Sequence, residues 1–505
     1  MARSIGIVGA GIAGLVTAKV MKQFGFSVTV FEKECDVGGV WSAARRYPGL
    51  TTQNPRDTYE LSDFPMPSDC PEWPSGEQVQ AYLASYVRAF SLTKSVLLNT
   101  EVTGASHDSA TNQWIVTSTQ SAATLPSRTL LHRFDFLIVC NGIFSVPAVP
   151  EFAGVEEFRA AGGRVCHTSE FVSLADARGK NILVIGYGKS SCDVANATVS
   201  VSTRTTVIVR GLIWKIPKKL LNVLNFKYLF LTRLGEGLFR YIRVRGFEKF
   251  LHGPGLPLRN CMLRSVERIV ARQLGLEALG LHPRKPLETI ARSTVSLVTD
   301  GFYENVRHGR LIVKIQASIN KLAPGQAHLT TGEVLPADLV VCGTGWQQLV
   351  PFFDRETRAR ITDARGNFRL YRTMMPVDVP NLAFNGYNSS FFSQLNAEIG
   401  ALWLADYLMG GVRLPSRVEM NSYIDERLRW MEARTDGRHS KGTNIIPFSV
   451  HHMDELLEDI GMRLGVFTRL RQWFFPIVGA DYRPLTKRLL ARHRLAGISG
   501  AVERS

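Results

Sequence analysis

Ser4-Ile5-Gly6-Ile7-Val8-Gly9-Ala10-Gly11-Ile12-Ala13-Gly14 opens the chain with an apolar stretch and then a turn holding three regularly spaced glycines. The pattern reads as a strand from Ser4 to Val8, a turn from Gly9 to Gly14, a helix from Leu15 to Gly25 and a second strand from Ser27 to Glu32. Gly9 permits the tight turn, Gly11 the close approach of a pyrophosphate, and Gly14 the packing of helix on strand. The helix N-terminus then turns its free N–H groups toward the phosphates. Glu32 lies 23 residues after Gly9 at the end of the second strand, where a carboxylate binds ribose hydroxyls and repels a ribose phosphate.

The same sequence of elements recurs further on. Asn181 to Ile185 reads as a strand, Gly186-Tyr187-Gly188-Lys189-Ser190-Ser191 as a turn, Cys192 to Val201 as a helix and Thr206 to Arg210 as a strand. Ser191 replaces the third glycine. Arg210 lies 24 residues after Gly186, so a guanidinium stands where the first unit has its acid, and it suits the 2′-phosphate of NADPH. Lys189 either faces the phosphates or is a solvated surface lysine. The fold class that follows is α/β, with two nested Rossmann-like dinucleotide-binding domains in three layers.

Between and after these units the chain alternates order and punctuation. Gly38, Gly39 and a run of prolines from Pro48 to Pro74 mark a long loop region. Glu77 to Phe90 has helical spacing, Trp114 to Ser118 alternates like an exposed sheet, and Phe134 to Cys140 and Ala337 to Cys342 read as buried strands. Leu220 to Leu281 reads as a basic, irregular helical insert, Ala397 to Met409 as an amphipathic helix, and the last stretch as mixed helices. The expected division is 1–175 and 326–410 for the first dinucleotide domain, 176–325 for the second with its insert at about 215–290, and 411–505 for a helical C-terminal region.

Composition is that of a globular protein, 45% apolar and 21% charged. Seven cysteines, none in a C-x-x-C pair, argue against a disulfide framework, a zinc site or a redox dithiol and point to a reducing, cytoplasmic setting. No stretch reaches the length of a membrane span. Of the formal charge of +16, most falls between Val201 and Arg310, with 20 lysines and arginines against 7 acids. Nucleic acid fits poorly because no motif accompanies that charge. A peripheral membrane face, with Leu, Phe and Tyr interleaved among cations from Lys218 to Phe250, and a basic rim around a cofactor or substrate entrance both fit it.

With both turns in place, the remaining motifs resemble those of class B flavin-containing monooxygenases. Gly38-Gly39-Val40-Trp41 resembles the family's GGxW element, and Asn54 followed by Ser62-Asp63-Phe64-Pro65-Met66-Pro67 resembles its asparagine segment. Asn141-Gly142, Gly343-Thr344-Gly345-Trp346 and Pro380-Asn381-Leu382 resemble the later segments. The likeness covers about residues 3 to 410 and is nearest in character to fungal biosynthetic enzymes of secondary metabolism. One element departs: Gly163, His167 and Phe171 keep the spacing of the family's histidine signature, but Phe158 lies five residues before Gly163, where two are expected. His167 therefore also reads as a linker histidine bonded to backbone.

The resemblance implies FAD at Gly9, Gly11, Gly14, Glu32, Gly39 and Trp41, and NADPH at Gly186, Gly188, Lys189, Ser190, Ser191 and Arg210. It implies that NADPH reduces the flavin, that oxygen forms a C4a-hydroperoxide, that Asn54 shields it, and that one oxygen atom passes to a small substrate. Asn54 also fits an Asx turn before Pro55. Baeyer–Villiger relatives carry Tyr-Pro-Gly and then an aspartate. Here Tyr47-Pro48-Gly49 is followed by Gln53 at the aspartate's place, which favours nitrogen or sulfur over a ketone. An NADPH-dependent flavin reductase without oxygen transfer stays a further alternative.

Overall fold

The structure, a computed structural model, describes residues 4–122, 125–292, 296–435 and 441–502. β1 (Ser4–Val8) runs through a glycine turn into α1 (Ile12–Gln23) and returns as β2 (Ser27–Phe31). α2 (Gly76–Ala89) starts on a capping box in which the Ser75 and Gln78 side chains each accept from the other's backbone N–H, and leads to the short β3 (Val96–Leu97). An antiparallel sheet of β4 (Thr100–Asp108), β5 (Gln113–Ala122) and β6 (Leu125–Phe134) follows. It sits on the first sheet because Gly6 has no side chain: a methyl there would lie 2.6 Å from the Phe134 ring. Phe31, Trp114, Phe134 and Phe384 fill that core. β7 (Phe136–Val139) then enters the first sheet beside β1.

The second sheet starts before its glycine turn. β8 (Arg164–His167) is its edge strand; β9 (Asn181–Ile185), α3 (Lys189–Thr198) and β10 (Arg204–Val209) form its β-turn-α-β unit. β11 (Leu311–Ile315) and β12 (Leu339–Cys342) complete it in the order β11-β10-β9-β12-β8, all parallel. The chain returns to the first sheet as β13 (Leu382–Phe384), giving β13-β7-β1-β2-β3, also all parallel. Continuous apolar strands buried on both faces are what parallel sheets require. Two strands cross the expected borders: β8 lies before position 176 and β12 after position 325, yet both belong to the second sheet. An apolar strand carries no mark of which sheet will take it.

The insert is closed at its base by a parallel pair, Lys215–Ile216 with Ser296–Leu297. It is less helical than its sequence reads. A hairpin pairs Lys219–Leu220 with Leu224–Asn225, turning through Leu221 and Asn222 at positive φ, before the short α4 (Phe247–Leu251) and the long α5 (Leu256–Leu274). Much of its charge is spent on acids remote in sequence: Lys227 on Asp57, Lys219 on Glu72, Arg233 on Asp454.

α6 (Ser393–Leu408) corrects the amphipathic reading, for every residue from Gln394 to Asp406 is buried. Its polar side chains are accommodated by partners, Gln394 on Thr58 O, Asn396 on Phe392 O and Glu398 on Ser62. One face packs against α1, and α8 (Ser449–Asp459), which comes after α7 (Arg417–Thr435) in the chain, packs on another, where Trp403 Nε1 donates to Asp459 at 3.0 Å. α9 (Val466–Phe474) and α10 (Pro484–Val502) end the described chain. No helix among the described residues is long and apolar enough to cross a membrane.

Candidate functional site

Register brings the carboxyl ends of β1, β2 and β7 level, with Val8 opposite both Phe31 and Val139. Gly9 therefore leaves the sheet beside Cys140; at φ +106° it adopts a conformation L-residues avoid, and a methyl there would lie 2.6 Å from Cys140 O. Gly14 lies in the first turn of α1, and its Cβ would overlap Gly9 O. Gly11 is different. Its Cβ would meet nothing nearer than Gly39 Cα at 3.7 Å, so the protein alone does not require glycine there, whereas a pyrophosphate approaching the backbone does. α1 has no side-chain cap at Gly11, which leaves its leading N–H groups available to an anion.

Glu32 is 6% exposed and folds under this turn, accepting from Ala10 N at 2.8 Å and Glu34 N at 3.0 Å. Burial raises its carboxyl above the ordinary range against these two hydrogen bonds. Gly39 heads a single 3₁₀ turn that ends in buried Trp41, whose ring meets Tyr59 edge-on at 5.9 Å. Asn54 is 3% exposed, and its Nδ2 donates to Phe391 O at 2.7 Å across 337 residues. The Asx turn open in the sequence is not made, since the N–H it needs, on Arg56, donates to Glu72 O at 2.7 Å; the Nδ2 bond ties the Asn54 segment to the start of α6. Next to it Gln53 Oε1 accepts from Leu297 N at 3.2 Å.

The Asn54 segment is anchored from below by ionisable groups that the sequence reading passed over. Lys19 on α1 is buried and pairs with Asp63 at 2.5 Å, while Glu398 accepts from Ser62 N and Ser62 Oγ at 2.9 and 3.0 Å. Burial raises the Glu398 carboxyl to about 7. A carboxyl with its folded pKa above the unfolded one contributes stability below the unfolded value, lost as pH rises through about 7. Glu398→Gln is therefore expected to raise the melting temperature at pH 8, by the equivalent of up to about 3 kcal/mol, and to leave it little changed at pH 4. Parallel melting curves for the two proteins across that range would refute this.

The second turn repeats the first with one exchange. Gly186, at φ +108°, would carry a Cβ 2.6 Å from Gly343 O. Ser191 fits in the third glycine's place because its Oγ bonds Ile185 O and Gly343 O, both at 3.3 Å, and because residue 343 is itself glycine: a methyl there would overlap Ser191 Oγ. A Cβ on Gly188 would meet no atom within 4 Å, and α3 likewise has no side-chain cap. Arg210 is exposed immediately after β10, and Ser190 lies beside the Tyr47 hydroxyl.

Lys189 is not solvated, which overturns one of the two readings open to it. Its Nζ is buried against Asp193, 2.5 and 2.6 Å from the two carboxylate oxygens, and Asp193 also accepts from Thr299 Oγ1 and Tyr47 OH. The pair joins α3 to the Tyr47-Pro48-Gly49 segment. Its signal in the sequence was the i,i+4 spacing on a helix. Nearby, Lys215 is buried with no carboxylate ion pair among the described residues, its Nζ 2.9 Å from Ser296 Oγ and over the Tyr187 ring; burial lowers its pKa.

His167 is buried and bonded to backbone through both ring nitrogens. Nδ1 accepts from Ser169 N, Nε2 donates to Gly345 O at 3.0 Å, and the ring meets Trp346 edge-on; burial lowers its pKa. Phe158 reaches Gly163 despite the altered spacing, because a short helix over Val155–Ala160 folds its ring onto that glycine.

A family model described as flavin-binding monooxygenase-like matches residues 2–471. Flavin-containing monooxygenase 3 of Oryctolagus cuniculus is 25% identical over 92% of this chain and 84% of its own. Among solved structures, S-allyl-L-cysteine S-oxygenase from Allium sativum superposes with a TM-score of 0.62 at 18% identity over 98% of both chains. Cyclohexanone monooxygenase from Rhodococcus sp. Phi1 bound to NADP+ gives 0.67 at 16% identity, over 91% of this chain and 97% of that one. Two glycine turns that leave room for a ligand, an acid behind one and a guanidinium behind the other are what such cofactors need, and with a match over nearly the whole chain the protein belongs to the flavin-binding monooxygenase-like family, as an oxidoreductase using FAD, NADPH and O2.

Proposed function

We propose that the protein transfers one oxygen atom from O2 to nitrogen or sulfur of a small organic substrate. The first glycine turn, Glu32, Gly39 and Trp41 would hold FAD, and the second turn with Ser190, Ser191 and Arg210 would hold NADPH. FAD supplies the redox chemistry, taking hydride from NADPH and activating oxygen. The chain's own residues bind, orient and exclude water. Moving the domain borders so that β8 and β12 fall in the NADPH unit agrees with the sheet order.

The observation that carries the choice of substrate is Gln53. A neutral amide bonded to the Leu297 backbone stands where ketone-oxygenating relatives have an aspartate, and it leaves no carboxylate there to assist attack on a carbonyl. Incubation with NADPH, labelled O2 and a panel of tertiary amines, thioethers and cyclic ketones is expected to place label in N-oxide or S-oxide. Lactone or ester as the main labelled product would transfer the protein to the Baeyer–Villiger reading, and NADPH oxidation with no labelled organic product to the reductase reading.

Asn54 is assigned the role of protecting activated oxygen, its amide held in place by Phe391 O. Asn54→Ala should keep FAD and hydride transfer but release hydrogen peroxide at the expense of product, lowering coupling about tenfold, the worth of one hydrogen bond. Unaltered coupling removes the assignment.

A peripheral membrane contact through the insert also belongs to this reading. The hairpin tip exposes Leu221 and Val223, the latter at 82%, within the most basic part of the chain.

A further inference from the structure

α9 is amphipathic with its faces reversed. Val466, Phe467, Leu470 and Phe474 recur at helical spacing and project outward, Phe467 at 89% exposure. The buried side chain is Gln472, bonded to Arg233 and Asp481, and Arg471 also pairs with Asp481. A surface helix of a globular protein does the opposite.

The apolar surface continues into the insert. Trp473 meets Phe247 edge-on at 5.6 Å, Phe247 stacks on Phe250 at 5.5 Å, and both phenylalanines are exposed. Gly255 brings the start of α5 against the Phe250 ring. Exposed Leu256 there shares a groove with Arg264 and Arg268 one turn apart. Scattered single apolar residues are ordinary on a surface, but a continuous aromatic face is not.

Charge selects what covers it. The acids bordering this face are already paired, Glu426 with Arg243, Asp454 with Arg233, Glu458 with Arg245. Lys249, Arg264 and Arg268 are exposed and make no ion pair among the described residues. The uncommitted charge is thus positive, set around an apolar centre. At nine residues α9 is about 14 Å long, too short to span a bilayer and suited to lying in its surface.

We propose that α9, α4 and α5 as far as Arg268 form one face that rests on a bilayer containing anionic phospholipid. Phe467, Leu470 and Phe474 enter the acyl boundary, while Lys249, Arg264 and Arg268 meet headgroup phosphates. The inference rests on the peripheral contact proposed for the insert and adds to it an element from the far end of the chain.

Flotation of the flavin-loaded full-length protein on phosphatidylcholine vesicles with and without phosphatidylserine tests it. Wild type should float with the anionic vesicles and less at high salt. Phe467→Asp/Phe474→Asp should cut the bound fraction at least about tenfold, each lost side chain having contributed area in the interface. Flavin content and melting temperature should stay unchanged, since both side chains are exposed. Equal flotation of this variant, with binding lost in Leu221→Asp/Val223→Asp, would overturn the role of α9 and keep the insert contact. No flotation of wild type would overturn both. A lipid-free dimer that the double variant converts to monomer in light scattering would assign the face to a second copy and overturn the bilayer.

Discussion

Gly11→Ala is expected to give a folded protein that purifies almost colourless, whereas Gly14→Ala should be strongly destabilised. The two substitutions add the same methyl group three residues apart in one motif. At Gly11 the backbone lies at φ −74°, which alanine adopts freely, and the methyl would be 3.7 Å from Gly39 Cα, an ordinary contact. Nothing in the protein resists it. In the proposed FAD site it would obstruct the approach of the pyrophosphate to the backbone N–H groups at the head of α1. Charge-assisted hydrogen bonds of that kind are worth about 1.5–3 kcal/mol each, so FAD affinity should fall about 100-fold with melting behaviour of the apoprotein unchanged. At Gly14 the methyl would overlap Gly9 O, a backbone atom held by the strand's own pairing. α1 would have to lift from the sheet, at a cost of about 3 kcal/mol or more. Flavin absorbance per protein and thermal melting of both variants check the pair; a Gly11→Ala protein with full flavin content would remove the first turn as the FAD site.

The two turns were legible because their signal is local: an apolar strand, glycines at fixed offsets and a helix, with the deciding acid or arginine a fixed distance on. What was not legible depended on partners remote in sequence. Lys189 reads as a phosphate ligand or a solvated cation, and nothing in its own segment shows that it is buried against Asp193, which also accepts from Tyr47 and Thr299. Ala397 to Met409 reads as amphipathic because Glu398 and Asp406 interrupt its apolar residues, yet both are buried, their cost offset by bonds to Ser62, Arg492 and His493. Counting charge in a window overstated the free basicity of the insert, since Asp57, Glu72 and Asp454 pair with Lys227, Lys219 and Arg233. α9 has strong helical spacing, but periodicity says which residues share a face and not which face meets the protein.

Arg210→Glu should invert the cofactor preference, and its effect should be confined to one phosphate. Arg210 is exposed just beyond β10, level with the second turn, so removing its side chain disturbs no core. Burial and geometry differ at the corresponding acid, Glu32, whose carboxylate is engaged by Ala10 N and Glu34 N and whose loss would loosen the first turn itself. A guanidinium paired with a dianionic phosphate contributes about 1.5–3 kcal/mol. Arg210→Ala should therefore raise KM for NADPH about 10- to 100-fold and leave KM for NADH nearly constant. Glutamate adds repulsion to that loss while offering the ribose hydroxyls of NADH an acceptor, as in units that bind an unphosphorylated ribose. Gly188→Ala provides the contrast: its methyl meets no protein atom within 4 Å, and it should weaken NADPH and NADH alike by obstructing the pyrophosphate they share. A ratio of NADPH to NADH efficiency that moves with Arg210 and not with Gly188 separates recognition of the 2′-phosphate from binding of the dinucleotide. A ratio unmoved in Arg210→Glu would place the phosphate elsewhere on the basic surface and remove Arg210 from the site.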